Sequence, residues 1–467
     1  MKAYRTRIKT ITCLALAPFL IASTESSAQS KKAGKPNFVF ILCDDMGYAD
    51  TGPFGATTIR TPNIDKLAAG GMKFTSFYSP SPVCSPTRAG LLTGRYPRRL
   101  GIDHVFFPES FTGLSPQETT IADALKEQGY DTGIVGKWHL GHHRQYLPLQ
   151  QGFDEYFGIP YSNDMQGVVY LRGNEVENFA VDQHYTTKVY TDESVKFIQK
   201  HKDKPFFLYL AHSMPHVPLY ASPEFEGKSK QGLYGDVIEE IDWSVGQVVK
   251  ALQTAGVEDN TLVVFTSDNG PWLVFDIEGG SAKPLRNGKG TTFEGGQRVP
   301  AIFSWPGKIK PGTVNSELTL MFDILPTFVK LSGATSYMYK NPIDGEDISD
   351  VLTGKGKRKG DEFIYYSNGK VEAFRKGDWK IKFPAAANPT LPPSADNAPN
   401  DTLLFNLKTD VEEKTNLLAS QRAVVPGLLK ALDAAKAKLG ETPKPLVQRM
   451  PADDSHIQKL KQRKGVK

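Results

Sequence analysis

An α/β fold is what the sequence predicts: a large, mostly parallel sheet between helical layers, followed by a small antiparallel sheet covered by a helix. Three observations predict it. Short, continuous apolar runs alternate with amphipathic helical patterns through most of the chain. Polar side chains stand just past the C-terminal end of run after run. From about residue 360 the texture changes to short strands separated by turns.

The first 28 of the 467 residues read as a leader. Lys2, Arg5, Arg7 and Lys9 form a basic start, Ile11 to Ala22 is a short apolar run, and Ser26-Ser27-Ala28 is a small-residue cleavage site. This pattern predicts a secretory signal peptide cut after Ala28 and a secreted or periplasmic product. The apolar run is too short for a membrane span. Cys13 lies inside the run rather than after it, which disfavours lipid attachment.

The main domain is expected over residues 29–358. Asn37 to Cys43 is apolar without interruption, as in a strand buried on both faces of a parallel sheet. Comparable runs recur at Thr132 to Val135, Pro205 to Leu210, Leu262 to Phe265 and Ala301 to Phe303. Helical patterns lie between them, at Asn63 to Ala69, Thr119 to Gln128, Thr187 to His201 and Asp236 to Ala255. A second, smaller domain is expected over 359–445, with strands at Glu362 to Tyr366, Val371 to Arg375, Trp379 to Phe383 and Leu403 to Leu407. Val424 to Leu439 is apolar at helical spacing and is expected to cover that sheet. Pro384 to Asn400 reads as a surface loop, and 446–467 as a basic, solvated tail rather than a nucleic-acid patch.

The formal charge of +5 says little about partners. The leader takes four of the 56 basic and one of the 51 acidic side chains, leaving 52 against 50. Of the three cysteines only Cys43 and Cys84 follow the leader, enough for one bridge but not for a disulfide framework.

The polar groups at the strand ends carry the functional reading. Asp44 and Asp45 follow the first run, Lys137 and His139 the second, His212 and His216 the third, and Asp268 and Asn269 the fourth. Ligands of open α/β sheets bind outside the carboxyl ends of the strands, so these groups are expected to converge. Asp44, Asp45, Asp268 and Asn269 offer only oxygen donors, which suits Ca²⁺ or Mg²⁺ rather than zinc. Arg88, Lys137, Lys289, His139 and His216 add positive charge, and the combination describes a site for a small tetrahedral oxyanion. His212 is expected to cap a strand end, and the Cys43 side chain to pack away from the site.

Cys84-Ser85-Pro86-Thr87-Arg88 is the most specific motif. Pro86 suits the first turn of a helix and Gly94 its end, which places residue 84 at a helix N-terminus where orphan N–H groups favour an anion. Arg88 lies about one turn on and can present its cation to the same side.

Cysteine followed by Pro at the second place and Arg at the fourth resembles the signature of the sulfatases of the alkaline phosphatase superfamily. The likeness extends to Asp44-Asp45-Met46-Gly47-Tyr48, Gly136-Lys137-Trp138-His139-Leu140-Gly141, Pro160-Tyr161-Ser162, His216-Val217-Pro218, Ser267-Asp268-Asn269-Gly270 and Gly288 to Gly296. It points to the branch holding arylsulfatase A and N-acetylgalactosamine-6-sulfatase. The resemblance implies a large mixed, mostly parallel sheet, and that a maturation enzyme oxidises Cys84 to formylglycine. It further implies one calcium ion (or magnesium) on Asp44, Asp45, Asp268, Asn269 and residue 84. Arg88 and Lys137 would balance sulfuryl charge, His216 and Lys289 would stand on the leaving side, and His139 would be the base that expels sulfate. Ser162 would contact the sulfate or its hydroxyl acceptor. The implied substrate is a sulfated carbohydrate, a galactose or hexosamine sulfate, with specificity in loops such as Phe275 to Asn287. The runner-up is a phosphodiester or phosphonate monoester hydrolase of the same superfamily.

Overall fold

The computed structural model describes residues 1–3, 34–165, 167–385 and 401–440. Nearly all of the leader, most of the Pro384–Asn400 loop and the basic tail lie outside these residues. The chain divides into Met1–Gly34 and one compact unit from Lys35 onward, and the second is described below. Among the described residues no helix is long and apolar enough to cross a membrane.

Among the described residues eleven strands make the large sheet: β1 (Asn37–Cys43), β2 (Met72–Tyr78), β3 (Asp131–Gly136), β4 (Glu155–Gly158), β5 (Tyr170–Arg172), β6 (Glu175–Asn178), β7 (Phe206–Ala211), β8 (Thr261–Ser267), β9 (Arg298–Ser304), β10 (Thr313–Asn315) and β11 (Thr319–Leu320). Their order is β10-β2-β9-β8-β1-β7-β3-β4-β5-β6, with β11 also on β2. The middle of the sheet, β8-β1-β7-β3-β4, is parallel, whereas β9 runs antiparallel to both β8 and β2.

Among the described residues the α-helices are α1 (Pro62–Ala69), α2 (Cys84–Thr93), α3 (Ile121–Glu127), α4 (Thr186–His201), α5 (Gly232–Thr254), α6 (Glu294–Gln297), α7 (Ile324–Leu331), α8 (Ser349–Leu352) and α9 (Val425–Leu439). Successive residues of β1 feed opposite cores, as the two-residue period of a strand requires. Phe38, Phe40 and Leu42 join a cluster with α2, α3 and α7, while Val39, Ile41 and Cys43 join one with α1, α4 and α5. The sheet is therefore covered on both faces, and its polar groups can collect only at the strand ends. Cys43 packs as expected, and it and Cys84 are both free thiols.

The second sheet is antiparallel, in the order β12 (Glu362–Ser367), β13 (Lys370–Lys376), β14 (Trp379–Lys382), β15 (Leu403–Asn406). Leu428, Leu432 and Ala435 of α9 cover it, and its core includes Tyr78, Tyr96 and Phe322 of the main domain. The two parts share one hydrophobic cluster as well as a chain.

Candidate active site

Four strand ends supply the site. Asp44 and Asp45 follow β1, Lys137 and His139 follow β3, His216 follows β7, and Asp268 and Asn269 follow β8. Gly136 makes the β3 exit feasible: its φ is +117°, and a Cβ there would stand 1.9 Å from the Ala211 carbonyl oxygen. That close approach lets the Lys137 N–H donate to Ala211 at 2.8 Å, which turns the lysine over the strand ends. Cys84 is the first residue of α2, and the helix ends at Gly94 with φ +65° and its N–H on the Gly90 carbonyl. Lys289 comes from the loop before α6.

These side chains are buried together. Asp44, Arg88, Lys137, Asp268 and Asn269 are fully inaccessible, and Asp45, Cys84, His139, Ser162, His216 and Lys289 nearly so. Ligand atoms of Asp44, Cys84 and Asp268 lie within 4.8 Å of one another, as do those of Asp45, Cys84 and His216. All the catalytic, metal and substrate residues expected from the sequence meet at this one place. His212 lies apart: its Nε2 faces Ser244 Oγ at 3.3 Å, and burial pushes its pKa down to about 3. It ties the end of β7 to α5.

The charges pair acid by acid. Lys137 Nζ donates to Asp44 Oδ2, and Lys289 Nζ donates to Asp45 Oδ2 at 2.6 Å. Arg88 Nε and Nη2 donate to Asp268 Oδ2 at 3.2 and 2.9 Å, and its Nη1 to the Lys137 carbonyl at 3.0 Å. Each carboxylate thus gives one oxygen to a cation's hydrogen bond, and Asp44 Oδ1 also lies 3.6 Å from Arg88 Nη2. Asp45 Oδ1 accepts from Asn269 Nδ2 at 2.7 Å and Asp268 Oδ1 from the Asp45 N–H at 3.2 Å. Asp44 Oδ1 and Asn269 Oδ1 are buried with no hydrogen-bond partner. Buried polar atoms are rarely left so without a reason. Two orphaned oxygens beside two further carboxylates, all hard donors, fit a divalent cation such as calcium or magnesium.

Proton positions follow from the same geometry. Burial and the neighbouring Asp44 push Asp268 up to about 7. Burial acts on Asp44 as well, but Lys137 leads His216, Arg88 and Lys289 in holding it well below the carboxylate range. Two carboxylates that crowd each other are relieved by a cation. His139 Nε2–H donates to the Phe106 carbonyl at 2.9 Å, while its Nδ1 is buried without a partner. Burial, then Lys137, holds this ring far below the usual imidazole value, so Nδ1 offers a free lone pair. His216 Nδ1 donates to the Val217 carbonyl at 2.5 Å, and Nε2 lies 3.5 Å from Asp45 Oδ2. Lys289 keeps its proton, because Asp45 first and then Cys84 and Asp44 outweigh the effect of its burial. Burial pushes the Cys84 thiol upward against Lys137 and Lys289; as a thiol it is a poor nucleophile.

Sequence reading missed two neighbours. Trp272 packs beside His216 with ring centroids 5.3 Å apart, and Lys289 Nζ lies 4.1 Å from the Trp272 ring centroid. Its place three residues after Asn269 was the available signal. Asn163, next to Ser162, donates to the His216 carbonyl at 3.3 Å. Ser162 itself accepts from Lys137 Nζ at 3.0 Å.

Residues 36–334 match the family model described as Sulfatase, and 358–462 the model of the C-terminal region of aryl-sulfatase. The chain belongs to the sulfatase family. Among this sulfatase's relatives, arylsulfatase A of Bos taurus is 38% identical over 452 residues, covering 86% of this chain and 87% of the relative. N-acetylgalactosamine-6-sulfatase of Canis lupus familiaris is 41% identical over 375 residues, covering 74% and 72%. The crystal structure of PsFucS1 sulfatase from Pseudoalteromonas sp. superposes with a TM-score of 0.81 at 31% identity, over 89% of this chain and 92% of that one. The sulfatase is accordingly a sulfuric ester hydrolase with an alkaline phosphatase-like sheet.

Proposed function

We propose that this sulfatase hydrolyses sulfate monoesters of carbohydrates, galactose or hexosamine sulfates, with residue 84 oxidised to formylglycine and one calcium ion in the carboxylate pocket. The observation that carries the reading is the position of Cys84. It heads α2 against three buried carboxylates, Asp44, Asp45 and Asp268, each with an oxygen within 4.8 Å of its Sγ. That Sγ marks the place of the aldehyde-hydrate oxygens. Relatives named N-acetylgalactosamine-6-sulfatase support a sugar ester.

Asp44, Asp45, Asp268 and Asn269 would hold the cation, with the oxygen at residue 84. The cation would supply positive charge, and the hydrated aldehyde an oxygen nucleophile with a second hydroxyl that a serine lacks. The chain's own residues supply the rest. Three aspartates balance Arg88, Lys137 and Lys289, so a bound divalent cation leaves the pocket positive and ready for an anionic ester. Arg88 and Lys137 then face the sulfuryl oxygens, with Ser162 on the Lys137 ammonium. Lys289, which keeps its proton, stands with His216 at the leaving oxygen, where a proton eases departure of an alkoxide. His139 Nδ1, the unpartnered base, takes the proton whose loss releases sulfate. Residues 1–28 would direct the chain to secretion or the periplasm, and a formylglycine-generating enzyme would be its maturation partner.

The test compares sulfate release from an aryl sulfate with phosphate release from the matching aryl phosphate. Protein is co-expressed with a formylglycine-generating enzyme, residue 84 is checked by peptide mass, and Cys84→Ala is the control. Sulfate release lost in the variant supports the reading. Phosphate preference, or activity indifferent to Cys84, overturns it in favour of the phosphonate or phosphodiester alternative.

A further inference from the structure

The stretch Trp272 to Ile277 begins three residues beyond Asn269 and presents an unusual surface. Large hydrophobic side chains exposed among the described residues are few, yet Val274, Phe275 and Ile277 fall within four positions here, and Ile277 is 73% exposed. Between them Asp276 has φ 52°, a conformation that L-residues rarely adopt and that marks functional segments more often than chance placement. The stretch is tied to the reactive loop: the Lys289 N–H donates to the Pro271 carbonyl at 2.9 Å. Trp272 is its base, touching His216 and Lys289, and the Phe275 ring meets it edge-on at 4.9 Å between centroids.

Single exposed apolar side chains need no explanation, but an aromatic pair continuous with a reactive pocket does. His216 and Lys289 are the groups assigned above to the leaving oxygen. Whatever covers Trp272 during reaction is therefore the ring that bears that oxygen. We propose that Trp272, extended by Phe275, is the subsite for the leaving-group ring, and that it takes a pyranose with its C–H face against the indole; this rests on the proposed hydrolysis of carbohydrate sulfates. An aromatic face buries such C–H groups while the hydroxyl edges stay free for polar partners. A short alkyl sulfate fills the sulfate pocket and leaves this surface bare, so preference for ring-bearing esters is set here. Trp272 also supports the Lys289 ammonium through its π face. Loss of the indole thus has two separable effects, one common to all esters and one confined to ring-bearing esters.

The test measures kcat/KM of matured wild type, Trp272→Ala, Trp272→Phe and Phe275→Ala with galactose 6-sulfate and with ethyl sulfate. The expected result for Trp272→Ala is a loss on galactose 6-sulfate about tenfold greater than on ethyl sulfate. Trp272→Phe should recover most of that difference, and Phe275→Ala should show a smaller one of the same sign. Equal losses on both esters would overturn the subsite and leave Trp272 as a positioning residue for Lys289. Binding is read apart from turnover by calorimetric titration of galactose 6-sulfate into Cys84→Ala protein. Affinity unchanged by adding Trp272→Ala would also overturn the proposal. Absence of sulfate release by wild type from either ester counts against the proposed function instead, and the titration then still decides the subsite.

Discussion

Glu294 lies five residues after Lys289, at the head of α6, and is fully buried. Its carboxylate accepts from Lys380 Nζ and Tyr365 Oη at 2.9 Å each, from Tyr78 Oη, and from Arg298 Nη1 at 3.3 Å. Lys380 also pairs with Glu413 at 2.8 Å, and Glu413 accepts the Glu294 backbone N–H at 2.6 Å. Burial opposes the charge on Glu294, but Lys380, Arg298 and Arg375 outweigh it and hold the carboxyl well below its ordinary range. Glu294→Gln keeps the shape and removes the charge, leaving Lys380 to Glu413 alone and Arg298 without its carboxylate. Removing one side of a buried ion pair costs about 3–5 kcal/mol. With an unfolding entropy near 2.1 cal/mol/K per residue over roughly 400 ordered residues, Tm falls by about 4–6 °C. The pH dependence has a definite sign. A carboxyl depressed in the folded state contributes stability that is present above the ordinary glutamate pKa and lost as pH falls through the folded one. The gap in Tm between wild type and variant is therefore full at pH 7 and narrows as the solution is acidified. Scanning calorimetry across pH measures it. Adding Lys380→Met to the variant should deepen the loss, since it leaves the buried Glu413 carboxylate without a cation. A shift at pH 7 of less than about 1 °C on the same entropy scale, or a gap that widens in acid, would refute the reasoning.

Two further outcomes test the pocket itself. Calcium at about a hundred times its dissociation constant should stabilise the protein by about 2.7 kcal/mol, which is about 3 °C on the same scale. A chelator should reverse the rise, and Asp44→Asn and Asn269→Ala should blunt it; a rise with zinc but not calcium would contradict the oxygen-donor assignment. On the proposed role of His139, His139→Ala lowers kcat by about 10²–10⁴-fold with little change in KM. About one equivalent of alcohol per enzyme should be released before turnover stalls, and unaltered steady release would exclude the role.

What the sequence disclosed depended on how local each signal was. The runs that became β1, β3, β7 and β8 were legible because a strand buried on both faces is apolar at every position. The same rule could not give direction: β9 satisfies it and yet runs antiparallel to both neighbours. Strand β2 escaped notice because Lys73 and Thr75 interrupt its apolar residues, and β4 to β6 because strands of three or four residues at a sheet edge carry little pattern. The helix over 232–254 starts one turn before its apolar period shows. The Glu294 network was hidden for a different reason. Its partners Tyr78, Tyr365, Lys380 and Glu413 lie on separate strands and loops, and only the docking of the small sheet brings them together.

The candidate site divides along the same line. Strand ends announced which groups would meet, and residue chemistry announced that three aspartates would meet three bases. Neither could say how they pair. In the structure every aspartate gives one oxygen to a cationic side chain, so the ion pairs fix the carboxylates in orientation without using them up. Asp44 Oδ1 and Asn269 Oδ1, which accept no hydrogen bond, are the ones left to serve a cation. Were Lys137 or Lys289 displaced, the matching aspartate would be free to turn, and the donor set would lose its geometry before it lost a ligand. On the proposed function the basic residues therefore act twice: they hold the carboxylates in place, and they would present positive charge to the ester.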